Sequence, residues 1–267
     1  MPLNDRTRIS ILPIAELDAD MREQMWALYT PHHNMDRASF DARITKLDEM
    51  ALFHSTSSDE LVGFNGLRAK EIELSTGEQV ATFYMGLTYI TRAWRSRALI
   101  QRMVIKRMLG PVLSPSYDAV YFWTDCLTYR PYLVMAKNLD EYYPHREREL
   151  SSQAWEVRDV LGRCYYGEAY DPERGTVRKT EARVRAHERT VTEADLQDPD
   201  IRHYMQLNRD YARGDGVIAL CPATMSNLMH YFGRKLAQRE GDSETSVIRM
   251  VSRAKRVLAG SEKVHES

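Results

Sequence analysis

Apolar and polar residues alternate along this chain in patterns that predict helices first and strands afterwards. Residues 14–29 and 39–49 carry apolar side chains at helical spacing, and the second of these helices is expected to begin at Ser39. Two short apolar segments separated by a polar stretch then predict an antiparallel hairpin, and a third strand continues or pairs with the second. These strands are expected over residues 50–54, 61–68 and 69–74.

The middle of the chain combines a strand, a basic turn and a helix. Residues 81–90 are rich in β-branched and aromatic side chains, and residues 98–109 have helical spacing that is expected to stop at Gly110 and Pro111. Between Gln79 and Tyr117 the chain has no Asp or Glu. It has six basic residues there, namely Arg92, Arg95, Arg97, Arg102, Lys106 and Arg107.

A helix start exposes unpaired backbone N–H groups and a partial positive charge. Arg95 and Arg97 at that point would therefore form a site for a phosphate or pyrophosphate group. Solvated arginines and a nucleic-acid patch are the alternatives. The net charge of −1 and the pI of about 6.7 give nucleic-acid binding little support.

The later elements complete a mixed order. We expect a strand over residues 118–124, a short helix over 128–138 and two strands flanking the turn at 171–175. After residue 180 the pattern predicts helices alone, over residues 199–211, 223–237 and 245–258. The fold class is therefore α/β (α+β), with a mixed, mostly antiparallel central sheet flanked by helices. The expected division is a domain over residues 1–180 and, over 181–267, a helical extension packed on it with a polar C-terminal tail.

Composition limits the class of protein. With 267 residues and 43% hydrophobic content, the chain can bury a large core. No apolar stretch is long enough to span a bilayer and the N-terminus lacks the order of a secretory signal, so a cytoplasmic location is expected. The cysteines Cys126, Cys164 and Cys221 are far apart and odd in number. We expect them to be small buried side chains rather than disulfide partners, zinc ligands or nucleophiles.

The order of elements around the basic turn resembles that of the GNAT-type N-acyltransferase superfamily over about residues 9–179. In that family a loop of the form Gln/Arg-x-x-Gly-x-Gly/Ala follows the fourth strand, and its amides hold the pyrophosphate of acyl-coenzyme A. Arg95 stands at the opening basic position, Ala98 at the first glycine and Ile100, as a departure, at the second small residue. The resemblance implies that the donor is bound by Leu87, Thr88, Tyr89, Ile90, Arg95, Ser96, Arg97, Ala98, Leu99 and Ile100.

The same resemblance suggests where a proton donor would lie. The family often has a tyrosine on the next helix that protonates the departing thiolate, but this chain has Met135 there, which cannot donate a proton. Tyr132 lies three residues earlier on the same helical face and Tyr129 a further turn back. Tyr132 is therefore the expected catalytic acid, and a packing role is the alternative.

An acceptor amine must lose a proton before it attacks a thioester, so a general base is useful. His32 and His33 lie in the loop that borders the acceptor pocket in the resembling family. Asp125, at the end of a strand, is the competing base, with helix capping as its alternative role. No metal is expected, because adjacent histidines lack a third ligand at a suitable spacing.

The resemblance implies transfer of an acyl group to an unknown amine acceptor. The donor would be acetyl-CoA, a longer acyl-CoA or an acyl carrier protein. The helical extension would pack on the sheet, close the pocket or form a homodimer contact. The alternative function is a non-catalytic ligand-binding or interaction protein that kept the fold while Ile100 and Met135 replaced working residues.

Overall fold

Eight strands form one sheet in a computed structural model that describes residues 6–180 and 183–237. The strands are β1 (Thr7–Pro13), β2 (Glu49–Ser55), β3 (Leu61–Glu73), β4 (Gln79–Ile90), β5 (Ala119–Cys126), β6 (Tyr170–Asp171), β7 (Thr176–Val177) and β8 (Gly216–Pro222). The α-helices are α1 (Ala19–Tyr29), α2 (Arg37–Ile44), α3 (Leu99–Leu113), α4 (Tyr129–Ala136), α5 (Ser152–Tyr166), α6 (Pro199–Leu207) and α7 (Met225–Ala237).

The sheet is mixed and mostly antiparallel, in the order β1-β2-β3-β4-β5-β8-β7-β6. Only β4 and β5 run parallel within the described residues. They are paired from Val80 with Ala119 to Tyr84 with Trp123, and β5 then continues against β8. The expected fold class is confirmed, and the two parallel strands separate beyond Tyr84.

Strand β4 is buried on both faces, because helices cover both sides of the sheet. Val80 and Tyr84 pack into a core beneath α1, α2 and α5. Phe83 and Met85 pack into a second core beneath α3, α4 and α6. This arrangement explains the nearly continuous apolar run of the strand, since a strand with two buried faces has no solvent-facing positions.

A β-bulge changes the direction of the side chains near the end of β4. Strand β4 has one residue more than β3 at the point where Asn65 lies between Phe64 and Gly66. Leu87, in this part of β4, has a positive φ of 48°. Tyr89 consequently joins Tyr84 in the core beneath α1 and α2, although strict alternation would put it on the other face. The bulge thus turns the Tyr89 side chain toward the loop after α1.

The predicted bounds of two helices were wrong. The second helix begins after Asp36, whose carboxylate accepts a hydrogen bond from the Ser39 N–H, so Ser39 is not the cap. This helix ends at Ile44, and Glu49 already belongs to β2. Helix α3 continues past Pro111 to Leu113. A proline so close to the helix end removes only one late backbone hydrogen bond.

The segment after residue 180 is not helical alone. Helices α6 and α7 agree with the prediction, but Gly216–Pro222 forms β8, which lies between β5 and β7 with all seven residues buried. The segment therefore completes the sheet in addition to packing on it. The helix expected over residues 245–258 lies outside the described residues, and the domain division at residue 180 stays a prediction.

Strand β1 and helix α5 were not anticipated from the sequence, whereas β6 and β7 flank the predicted turn as short strands. Across residues 6–180 and 183–237, no helix combines the length and the apolar character needed to cross a bilayer.

Candidate active site

A cavity of about 400 Å³ opens where β4 and β5 separate. It is bounded by β4 from Tyr84 to Ile90, by the start of α3, by α4 and by the segment from β8 into α7. The edge of β4 that faces β5 is open here, apart from a hydrogen bond from Arg95 Nε to the Ile90 carbonyl oxygen at 3.0 Å. A cavity of this size with an open strand edge can hold an extended small molecule along the backbone.

The turn before α3 has the geometry of an anion-binding loop. Ala98 ends the turn in the left-handed conformation (φ 53°, ψ 39°), in which glycine is usually preferred. No side chain caps α3, and its first intrahelical bond runs from the Arg102 N–H to the Ala98 carbonyl oxygen. The amides of residues 99–101 therefore precede the hydrogen-bonded turns and are available to an anion.

The structure brings most of the predicted donor residues to this cavity. Those that line it are Leu87, Thr88, Tyr89, Ile90, Arg95, Leu99 and Ile100. Arg97 instead lies over the ring of Trp94 at 4.3 Å, and Ala98 is not among the described residues that line the cavity. The side chain of Ser96 lies outside the part that the structure describes. The side chain of Arg95 folds back over the ring of Tyr89, 5.9 Å from its centroid.

Tyr89, His32 and Glu188 form a connected hydrogen-bonded row beside the cavity. The Tyr89 hydroxyl lies 2.7 Å from His32 Nε2, and His32 Nδ1 lies 2.7 Å from Glu188 Oε1. An ionised carboxylate can only accept a hydrogen bond, so His32 Nδ1 carries the proton. In the neutral ring Nε2 then accepts from the Tyr89 O–H. This arrangement of a phenol, an imidazole and an orienting carboxylate can move a proton.

The surroundings keep the two ends of this row in suitable protonation states. Burial, together with the negative charge of Glu188, raises the pKa of Tyr89, although Arg95 opposes the shift. Burial alone would raise the pKa of Glu188, but hydrogen bonds from Arg130 at 2.5 Å and from His32 outweigh it, and the net pKa is lowered. The phenol is therefore protonated and the carboxylate ionised at neutral pH.

The predicted base His33 has a different environment from His32. Its ring is stacked on that of Tyr29 at a centroid distance of 3.6 Å, and its Nδ1–H donates to the Tyr29 carbonyl oxygen at 3.1 Å. Burial lowers the pKa of His33 to about 4. The ring is therefore neutral near pH 7 and a weak proton acceptor.

Asp125 lies in a buried ion pair. It accepts hydrogen bonds from the Tyr84 hydroxyl and from Lys179 Nζ, both at 2.8 Å. Burial would raise the pKa of Asp125, but the charges of Lys179 and Arg43 outweigh it and the net pKa is lowered to about 2. Asp125 is thus a poor proton acceptor near neutral pH. Its alternative role as a helix cap was wrong, because Thr128 is the N-cap residue of α4.

Tyr132 does not face the cavity. Its side chain is fully buried against Tyr142 and Tyr204, and burial raises its pKa strongly. Met135 lines the cavity, whereas Tyr129 does not. The geometry therefore does not provide the expected proton donor on α4. Tyr89 lines the cavity and has His32 as a proton-transfer partner, whereas Tyr84, which also lines it, donates to the buried Asp125.

His32, His187 and Glu188 could hold a metal ion by spacing, since their ligand atoms lie within 4.8 Å of one another. The carboxylate of Glu188, however, already binds Arg130, and Arg95 lies 3.9 Å away. Two guanidinium groups oppose a cation at that carboxylate, so this donor set fits a proton relay better than a metal site.

The cysteines differ in exposure. Cys126 and Cys221 are buried as expected, whereas the expectation of a buried side chain was wrong for Cys164, which is exposed. Cys221 lines the cavity, but burial raises its pKa to about 12, so it is a thiol and not a ready nucleophile.

The sequence analysis proposed His32 as a general base but did not predict which side chains hydrogen-bond to it. It placed Tyr89 among the donor-binding main-chain positions, and it missed Glu188, which lies 156 residues from His32. No local motif in the sequence links two side chains at that separation.

Comparisons with known proteins yield similarities only in structure. No family model matches this chain, and no curated protein matches it. Among solved structures, glucosamine-6-phosphate N-acetyltransferase from Arabidopsis thaliana matches at 11% identity and a TM-score of 0.35, covering 55% of this chain and 99% of that protein. A GNAT family N-acetyltransferase (YhbS) from Escherichia coli in complex with CoA matches at 14% identity and a TM-score of 0.34, covering 50% of this chain and 69% of that protein.

A conserved protein of unknown function from Enterococcus faecalis V583, described as a probable N-acyltransferase, matches at 11% identity and a TM-score of 0.36. That match covers 51% of this chain, which spans only 33% of the Enterococcus protein. At such identities and scores the comparisons assign neither an activity nor a substrate. The GNAT-type arrangement rests on this chain's own strand order, its parallel β4–β5 pair and the turn before α3.

Proposed function

We propose that this chain transfers an acyl group from a coenzyme A thioester to an amine. The observation that carries the proposal is the cavity between the separated β4 and β5, which joins an open strand edge to an uncapped helix start. An acyl-CoA has a pyrophosphate at one point and two amides in an extended arm, so it requires both features. The GNAT-type strand order supports the same conclusion.

The donor would lie along β4 with its phosphates at α3. The amides of residues 99–101 would hold the pyrophosphate, and the backbone of residues 85–90 would pair with the arm. Arg95 lines the same cavity and adds a positive charge. Ile100 also lines it, so the donor has to pass a bulkier side chain than the usual glycine or alanine.

The chemistry requires one net proton transfer. The amine nitrogen forms a bond to the acyl carbon, the carbon–sulfur bond breaks, and a proton leaves the nitrogen while the sulfur gains one. Tyr89 would supply the proton to the departing thiolate. The proton lost by the amine would pass to His32 Nε2 and from there to the Tyr89 oxygen, while Glu188 stabilises the transient imidazolium. A thiolate is more basic than water at neutral pH, so a protonated phenol nearby assists its departure.

Asn65 is a candidate for positioning the amine. It lines the cavity opposite the bulge, and its amide nitrogen donates to the Thr88 hydroxyl. Its Oδ1 is buried and has no hydrogen-bond partner among the described residues. Because a buried acceptor without a partner is costly, an N–H group of a bound substrate would be favoured there.

A second candidate is a protein that binds an acyl-CoA without turning it over. The observation in its favour is the position of Met135 in the cavity together with the burial of Tyr132, which leaves α4 without the proton donor that the resemblance implied. In that case the cavity would bind the ester, and the Tyr89 row would have only a structural role.

The test begins with donor binding. Thermal unfolding is measured with coenzyme A and a series of acyl-CoA esters, since a ligand that binds only the folded state raises the unfolding temperature. We expect a rise that is smaller in an Arg95→Ala variant and unchanged in Arg163→Ala, whose side chain is 64% exposed and pairs within α5. Absence of any rise would refute both candidates.

Thiol release with a panel of amines then separates the two. Release that is lost in Tyr89→Phe, with the thermal shift retained, would support the transferase. A thermal shift without release for any amine would support the binding protein.

A further inference from the structure

A second cavity, of about 370 Å³, lies beneath α2 and α5 on the other face of the sheet. Six of the side chains that line it are cationic: Arg43, Lys46, Arg68, Arg178, Lys179 and Arg183. Among the residues that the structure describes there, Asp125 is the one carboxylate that lines this cavity. We call this volume the basic cavity.

Most of its positive charge is not neutralised by the protein. Lys179 pairs with Asp125 at 2.8 Å. The other five cations form no ion pair with a carboxylate within the described ranges 6–180 and 183–237, although Arg68 lies over the Tyr165 ring at 4.9 Å. Asp48 is a further acid whose charge acts on Tyr165, and it accepts a hydrogen bond from the Ala69 N–H. Of these five cations Lys46, Arg68 and Arg178 are exposed, while Arg43 and Arg183 are half-buried. A cluster of cations without carboxylate partners favours an anionic occupant.

Two side chains point to a ligand rather than to a solvated surface. The guanidinium of Arg43 is half-buried, lines both cavities and has no hydrogen-bond partner in the described part of the chain. The hydroxyl of Tyr165 lines the basic cavity and is likewise buried without a partner there. A buried hydroxyl such as that of Tyr165 is normally hydrogen-bonded, and a guanidinium at a cavity wall binds oxygen anions well, so both groups could bind oxygen atoms of a ligand.

The basic cavity adjoins the first cavity where β4 and β5 separate. The two volumes share Arg43, Tyr84, Leu87 and Asp125. Leu87 is the bulge residue of β4, whose backbone would face the donor arm. A molecule in the basic cavity would therefore approach the thioester from the face opposite α3.

We propose that the basic cavity holds the anionic group of the acceptor, so that the substrate is a small amine carrying a phosphate or carboxylate group. This inference rests on the proposed acyl transfer and narrows its substrate class. The volume fits a small molecule rather than a folded partner. Arginine forks bind both kinds of anion in a bidentate manner, so phosphate and carboxylate are the two sources to distinguish.

The test compares three amines that share the serine skeleton: O-phosphoserine amide, which carries only a phosphate, serine, which carries only a carboxylate, and serine amide, which carries neither. Their affinities are measured by titration calorimetry, with and without bound coenzyme A. We expect O-phosphoserine amide or serine to bind and serine amide not to bind, and the compound that binds more tightly shows whether the cavity takes phosphate or carboxylate. Arg43→Gln and Arg183→Gln should each weaken binding about tenfold or more, because a charged hydrogen bond is lost. The matched change Arg163→Gln, on the exposed face of α5, should not.

Equal binding of serine amide, no binding of either anionic amine, or unchanged affinity in both arginine variants would overturn the inference. The unfolding temperature of each variant is measured without ligand to exclude misfolding. If Arg43→Gln does not fold, the test is made with Arg183→Gln alone. Thiol release from an acyl-CoA distinguishes the two proposals. Turnover of serine amide as fast as that of the anionic amines would refute the anion preference and keep the transferase. Tight anion binding without thiol release would refute the transfer and leave the cavity as an anion site.

Discussion

Burial of His33 predicts a loss of stability in mild acid. The pKa of His33 in the folded chain, about 4, lies below the ordinary histidine value of 6.5 because the ring is buried against Tyr29. Between these two values the unfolded chain binds one more proton at this site than the folded chain does. The free energy of unfolding therefore falls as the pH drops from 6.5 toward 4, and this contribution is present in full above pH 6.5.

The size follows from the difference between the two pKa values. A shift of roughly 2.5 units at about 1.36 kcal/mol each gives about 3 kcal/mol at most. The change His33→Gln removes the titrating ring and keeps a donor for the Tyr29 carbonyl oxygen, which also accepts from the His32 N–H. The variant should thus lose less stability between pH 7 and pH 4.5 than the natural chain, by about 2–3 kcal/mol.

The assay is urea unfolding at a series of pH values, restricted to pH 4.5 and above. Below that range the carboxylates with lowered pKa values, such as Glu188, begin to lose their own contribution. The pKa values of His54, His145 and His203 are also lowered by burial, so the decisive quantity is the difference between the natural chain and the variant. The matched control is His187→Gln, whose side chain is 61% exposed. Equal pH slopes for His33→Gln and the natural chain would refute the burial of His33.

Three further substitutions test other parts of the structure. Tyr89→Phe should lower kcat by about 10²–10⁴-fold without changing the thermal shift with coenzyme A. The control Tyr117→Phe, at a hydroxyl bonded to a surface carboxylate, should leave kcat unchanged. An equal kcat in both variants would exclude Tyr89 as the proton donor. Ala98→Gly should raise the free energy of unfolding in urea by about 0.5–1 kcal/mol. Glycine relieves the left-handed conformation, which costs alanine about 1–2 kcal/mol, and this gain exceeds the entropy that glycine adds to the unfolded chain. A clear loss of stability would contradict the positive φ of Ala98. Asp125→Asn should destabilise by about 3–5 kcal/mol, because it leaves Lys179 buried without its carboxylate, and a loss below about 1 kcal/mol would show that the pair is not buried.

The sequence predicted the sheet class well because the strands near its centre have two buried faces. A run such as residues 81–90 is rich in β-branched and aromatic residues and has no charged residue. β8 has a similar signal, since residues 217–221 form an apolar run between Gly216 and Pro222. It was missed because its partner β5 lies about 90 residues earlier, and local pattern alone does not distinguish such a run from a buried helix.

Helix α5 was missed for a different reason. Its buried face includes Arg158 and Gly162 beside Val157 and Leu161, so the apolar stripe is interrupted in the sequence. Arg158 donates to the Pro172 carbonyl oxygen, and Gly162 is tightly packed, since a Cβ there would lie 2.5 Å from the Tyr170 ring. Both residues are explained by long-range packing, which periodicity does not record.

The candidate site was predicted where chemistry is local and missed where it depends on the fold. The anion loop is contiguous, so residues 95–100 could be recognised from basic residues before a helix. The partners of His32 come from β4 and from a turn after residue 180, and the basic cavity draws its cations from three separate segments of the chain. Such sites exist only after the chain has folded, because no spacing rule relates their members.

The bulge at Leu87 links the two halves of the site in one backbone feature. An extra residue in β4 reverses the side-chain alternation after Gly86, so Tyr89 faces His32 while Ile90 packs toward the core beneath α3. The same irregularity lies where β4 has left β5, at the boundary shared by the two cavities. A positive φ at a leucine is costly, of the order of 1–3 kcal/mol, and is kept only where the surrounding structure imposes it. The bulge therefore lies where the proposed donor site, acceptor site and proton relay would meet.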